Sequence, residues 1–133
     1  MNISTATPKG DYGIVQMKSV MELFDYESRR MFGTAPLRIS STPTFESLGL
    51  ANYLVLYEAK FPKNIKNNTD IYLTANAKDR GLIYVDGKLS GIFSRTYGVK
   101  SLQLSNAGNN LQVLVESQGH VNYGNKDVED FKV

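Results

Sequence analysis

One imidazole, a few glutamates and a set of tyrosines are the groups in this chain whose chemistry reaches beyond packing. His120 is the single histidine and cysteine is absent, so catalysis by a nucleophile and a nitrogen base would have to run through His120. It stands in the polar run Ser117-Gln118-Gly119-His120-Val121-Asn122-Tyr123-Gly124, and no Gly-x-Ser-x-Gly elbow presents a serine to it. A lone imidazole in such a loop reads as a surface or hydrogen-bonding residue. Glu46, Glu58 and Glu116 are the carboxylates best placed for work on a glycosidic bond, where a retaining hydrolase holds two of them roughly 5–5.5 Å apart. Glu58 and Glu116 fall at strand ends beside Lys60 and polar neighbours, which favours a structural ion pair. Asp79-Arg80, just before a strand, reads the same way, because arginine holds a carboxylate as a bidentate fork. No catalytic residue is assigned.

Metal binding is equally thin. With one histidine and no cysteine no closed ligand set forms, and Asp127, Glu129 and Asp130 read as a solvated acidic tail ahead of a loose calcium site. Neither a metal nor another cofactor is expected. Sugar binding asks for less: an aromatic face for the apolar side of a hexose and a few amides for its hydroxyls. Tyr57, Gln118, Asn122 and Tyr123 are the candidates, with Tyr53, Tyr84 and Tyr97 as further rings. Tryptophan is absent, and tyrosines in strands more often pair across strands with a wet hydroxyl, so packing and sugar binding stand as competing readings. Two acceptor sequences for N-linked glycans occur, Asn2-Ile3-Ser4 and Asn67-Asn68-Thr69. The second falls in a polar loop from which a glycan would project.

The elements that must carry these groups read as strands. Leu111, Val113 and Val115 recur at period two with Leu114 between them, which makes a central strand that delivers the polar run at its end. Asn52 to Phe61 is dense in aromatic and branched residues and gives a second central strand that Pro62 ends. Arg80 to Val85, Asp86-Gly87 and Lys88 to Arg95 form a hairpin, since Asp-Gly supplies the positive φ angles of a two-residue turn. Shorter strands are expected at Tyr12 to Met17, at Leu37 and Ile39, over Asp70 to Thr74 and over Lys100 to Leu104, with Asn106 to Asn110 as a turn. Val20, Leu23 and Phe24 allow a helical turn, and so does Thr44 to Gly49. About seven to nine short strands with turn chemistry between them predict an all-β fold, an antiparallel sandwich of jelly-roll type. Residues 1–10 read as a linker and 11–133 as a single domain.

Composition bounds the rest. The 41% of hydrophobic residues suffice for a core. The net charge of +2 is small and its cations are scattered, so neither a nucleic acid nor an anionic membrane is an expected partner. No stretch approaches the ~20 apolar residues of a membrane span, and Met1 to Pro8 lacks the cationic start and apolar run of a signal peptide.

Taken in order, Tyr12-Gly13, Leu23-Phe24-Asp25, Pro43-Thr44-Phe45-Glu46, Leu54-Val55-Leu56-Tyr57, Asp79-Arg80, Val85-Asp86-Gly87, Gly91, Leu114-Val115-Glu116, Gly119 and Val121-Asn122-Tyr123-Gly124 resemble the first all-β domain of the β-galactosidases of glycoside hydrolase family 35, the lysosomal acid type. His120 stands where that pattern usually has arginine, and Ser117 where asparagine is common. The resemblance implies a galactose-binding-domain-like sandwich that packs on a catalytic barrel and precedes a further β domain. The two catalytic glutamates belong to the barrel and correspond to no residue here. It also implies a lysosomal or secreted glycoprotein, and a chain that is a segment of a larger enzyme. A free-standing carbohydrate-binding or adhesion module is the rival expectation.

Overall fold

The computed structural model describes residues 9–18, 21–51, 53–73, 78–94 and 98–120, in two compact units, Met1–Pro36 and Leu37–Val133.

Among the described residues the first unit contains one short helix, α1 (Tyr26–Phe32). Asp25 fixes its start: its backbone is extended and its carboxylate accepts the Glu27 N–H at 3.0 Å, satisfying one of the donors that a helix leaves open at its first turn. Glu27 also pairs with Arg30 at 3.1 Å, and the Arg29 guanidinium lies 5.5 Å from the centre of the Phe24 ring. The turn expected near Leu23 and Phe24 forms, closed by the Asp25 N–H on the Glu22 carbonyl at 3.2 Å, and the helix begins only after it, because Asp25 caps α1. The strand expected over Tyr12 to Met17 does not form. Those residues join no ladder among the described residues, and Tyr12, Ile14 and Met17 are exposed. A segment of strand-forming residues becomes a strand only where a neighbouring edge accepts its hydrogen bonds.

The second unit is an antiparallel β-sandwich. Its strands are β1 (Leu54–Ile65), β2 (Thr69–Tyr72), β3 (Arg80–Val85), β4 (Lys88–Ser94), β5 (Ser101–Leu104) and β6 (Gly108–Glu116). Among the described residues one sheet has the order β1-β6-β3-β4 and the other pairs β2 with β5. Register explains the core. Val55 faces Val115, which faces Gly81, which faces Phe93; one step along, Tyr57 faces Val113, which faces Ile83, which faces Gly91. These two rows lie on one face of the pleat, and Phe45, Ile83, Val85, Phe93, Val115 and Leu104 of the smaller sheet form one buried cluster. Gly81 is required here: a side chain on it would occupy the space of the Phe93 ring.

The strand between Asn52 and Phe61 proves longer than its sequence suggested. Pro62 does not end β1, which runs on to Ile65 with a register shift between Lys60 and Ile65. β1 lies at the edge of its sheet among the described residues, and there a residue without an N–H is tolerated on the unpaired side or at a bulge. β6, by contrast, lies between β1 and β3. Leu37 to Ile39 form no strand. The turn expected over Asn106 to Asn110 is shorter, since β6 already begins at Gly108.

The Asp86-Gly87 hairpin forms with φ of 47° and 76° at the two turn residues, the left-handed pair that a two-residue turn needs. Its tip is tied to a third strand. The Asp86 carboxylate accepts the N–H groups of Asn109 and Asn110 at 3.0 Å each and the Asn110 side-chain amide at 2.6 Å, while the Gly87 N–H donates to the Gln112 side chain at 3.0 Å. These bonds hold the Asp86 carboxyl below the ordinary carboxylate range, the Asn110 amide contributing most.

Candidate functional site

The polar loop that follows β6 is the place where the sequence gathers its chemically versatile groups, and the fold pins its described part, Ser117 to His120, from several sides. Ser117 is buried; its N–H donates to the Tyr53 carbonyl at 3.1 Å, and its hydroxyl receives the Gly119 N–H at 3.4 Å and lies 3.5 Å from the Ala51 carbonyl. The next residue is tied to the start of β3. The Gln118 N–H donates to the Asp79 carboxylate at 2.8 Å, and the Asp79 N–H in turn donates to the Glu116 carbonyl at 2.9 Å. Asp79 is thus buried as the acceptor that fastens the loop.

His120 closes the corner from the opposite side. Its Nε2 lies 2.8 Å from Glu46 Oε1, and Glu46 begins the 3₁₀ turn Glu46–Leu48, the helical turn foreseen for Thr44 to Gly49. That turn forms because the Thr44 hydroxyl accepts the Ser47 N–H at 3.1 Å and Gly49 adopts φ of 71° to end it. The side chains of His120 and Glu46 remain partly exposed, so their attraction is moderated by solvent.

Tyr57, the first sugar-binding candidate, sits on the inner face of β1. It packs against the core, and its hydroxyl donates to the Pro43 carbonyl at 3.0 Å. Burial, followed by the negative charge of Glu46, pushes the Tyr57 hydroxyl above its ordinary pKa of 10.0. Gln118, the second candidate, is exposed while its backbone is held by Asp79. Asn122 and Tyr123 lie outside the described residues. Asn67, the glycan candidate, is exposed in the turn between β1 and β2. An open depression lined by Arg80, Ile92, Phe93 and Ser94 lies elsewhere, at β3 and β4. Among the described residues no group of three histidine, cysteine or acidic side chains is arranged to hold a metal ion, and no helix is long and apolar enough to cross a membrane.

What the arrangement does chemically is hold a loop. Its polar atoms are joined to one another: an imidazole to a carboxylate, a phenol to a carbonyl, a carboxylate to a backbone amide. The pairing of His120 with Glu46 and the role of Pro43 as acceptor had no sequence signal, since the partners lie 74 and 14 residues apart.

Comparison with known proteins agrees with this architecture. Residues 43–133 match the model of the family described as β-galactosidase, first all-beta domain. The chain is 30% identical to the β-galactosidase of Felis catus over 131 residues, 98% of this chain and 19% of that protein. It is likewise 30% identical to the Homo sapiens β-galactosidase over 134 residues, again 98% of this chain and 19% of the relative. A β-galactosidase-1-like protein of Mus musculus is 28% identical over 90 residues, 67% of this chain and 14% of that one. The chain thus spans about a fifth of the length of the β-galactosidases it matches.

Proposed function

The chain belongs to the family of the first all-β domain of β-galactosidases, and from that premise we propose that it is a non-catalytic sandwich supporting the catalytic barrel of a glycoside hydrolase that cleaves terminal β-galactosides. Its partners in this reading are the barrel and a following β domain of the same enzyme, in a lysosomal or secreted setting. The observation that carries the reading is the corner around the loop after β6. Glu46, Tyr57, Asp79 and His120 are each bonded to another part of the same unit, as befits groups that shape a surface rather than attack a substrate. A rigid loop of this kind is what one domain needs in order to present a fixed contour to another. The extent of the match supports it as well, because relatives five times longer supply ample chain for a barrel.

The purified chain is expected to give no turnover of a chromogenic β-galactoside. Hydrolysis that disappears in Glu46→Gln, Glu58→Gln or Glu116→Gln would overturn the proposal. Calorimetric titration with galactose and lactose separates the accessory domain from a carbohydrate-binding module: no saturable heat is expected, whereas saturable heat lost in Tyr123→Ala would establish the module instead.

A further inference from the structure

We propose that Asn67 carries an N-linked glycan and that this glycan shields the open edge of β2. The inference rests on the secretory setting of the proposed function, and its support comes from the turn itself. Asn67-Asn68-Thr69 has the acceptor spacing, an asparagine two residues before a threonine. The fold then places these three residues in different roles. Asn68 takes a positive φ of 62° and its N–H donates to the Leu104 carbonyl at 2.8 Å. The Thr69 hydroxyl donates to the Lys66 carbonyl at 2.7 Å, and Thr69 opens the ladder with β5 opposite Leu104. The turn is therefore held by residues 66, 68, 69 and 104. Asn67 alone of the tripeptide takes no part in it among the described residues, and its side chain is exposed. A large hydrophilic substituent on that amide displaces nothing that the fold uses.

The neighbourhood supplies a reason for such a substituent. β2 pairs with β5 on one side, and among the described residues no strand covers its other side. An uncovered edge with unpaired N–H and carbonyl groups is a template for pairing with another chain. β2 also presents Tyr72, which is 76% exposed, and it lacks a proline of the kind that β1 carries. A glycan at the head of β2 obstructs the approach of a second edge. In the transfer step the Asn67 amide nitrogen forms a bond to the anomeric carbon of a lipid-pyrophosphate-linked oligosaccharide. The carbon–oxygen bond to the pyrophosphate breaks, the lipid pyrophosphate leaves, and a transferase base takes the amide proton. Because the folded turn engages the Thr69 hydroxyl, the transfer takes place on the chain before that turn closes.

The test uses the full chain behind an added secretion leader in a eukaryotic host, with peptide mapping across Asn67 before and after enzymatic removal of N-glycans. Occupancy at Asn67 is expected in the native sequence and in Thr69→Ser, which keeps an acceptor, and is expected to vanish in Asn67→Gln and in Thr69→Ala. Secreted chain with an unmodified Asn67 peptide would overturn the site. For the shielding, light scattering compares the glycosylated chain with the same folded material after deglycosylation. The stripped chain is expected to shift from monomer towards larger species, and Tyr72→Lys is expected to reverse the shift. A stripped chain as monodisperse as the glycosylated one would overturn the shielding. Neither measurement depends on whether the chain supports a galactosidase barrel, so failure here and failure of that reading are separable.

Discussion

Changing Gly81 to alanine tests the register of the core more sharply than truncating any large side chain. An alanine Cβ at this position would lie inside the van der Waals envelope of three carbons of the Phe93 ring, and that ring is itself buried. Overpacking of this kind costs about 1–3 kcal/mol. Phe93→Ala, which removes the ring and leaves a cavity, costs about 3–5 kcal/mol. The decisive quantity is the double variant. Without the ring the new methyl meets open space, and alanine is favoured over glycine in a strand by roughly 0.5–1 kcal/mol. Gly81→Ala is therefore expected to destabilise the native chain but to stabilise the Phe93→Ala variant, a coupling of at least about 1.5 kcal/mol. Urea unfolding of the four proteins, followed by circular dichroism at unchanged m value, measures it. If Gly81→Ala costs the same in both backgrounds to within about 0.5 kcal/mol, the ring does not cover Gly81 and the facing of β3 with β4 is wrong.

Two further predictions concern titration. The folded state holds the Asp86 carboxyl below its ordinary value of 3.8, so the stability it confers is complete above that value and is lost as the pH falls below 3.8 through the folded-state pKa. Asp86→Asn keeps a residue suited to the left-handed turn, and stability measured against pH is expected to lose that part of its acid dependence; an unchanged acid limb would refute the carboxylate's role. For Tyr57 the sign is opposite. Its pKa is raised above 10.0, so its contribution is complete below pH 10 and declines as the pH rises beyond it. Tyr57→Phe is expected to cost about 0.5–1.5 kcal/mol at neutral pH through loss of the bond to Pro43, and to flatten the alkaline limb of the same stability profile.

Much of the fold is legible in local chemistry. Asp86-Gly87 predicts its hairpin because few dipeptides accept two positive φ angles in succession, and the alternation of Leu111, Val113 and Val115 identifies β6 because one face of a pleated strand must be apolar to be buried. Thr44 to Gly49 likewise shows a helical turn through a hydroxyl cap and a terminal glycine. Where the reading fails, the deciding partner is distant. Tyr12 to Met17 reads as a short strand, yet meets no edge among the described residues. Pro62 looks like a terminator until β1 is seen at the edge of its sheet, where the missing N–H costs no ladder bond.

The candidate site divides along the same line. Its residue types, a histidine in a polar loop, an aspartate before a strand and a tyrosine within one, are plain from the sequence, as is the order of short motifs that resembles a β-galactosidase domain. What those residues do is decided in three dimensions. Glu46 reaches His120 and Asp79 reaches Gln118 because β6 runs between β1 and β3, bringing the end of one strand beside the beginnings of two others, while Tyr57 reaches back from β1 to Pro43. Hydrogen bonds act over about 3 Å, a range that sequence separation does not measure, so the sequence determines which groups are present and the tertiary structure decides which of them meet.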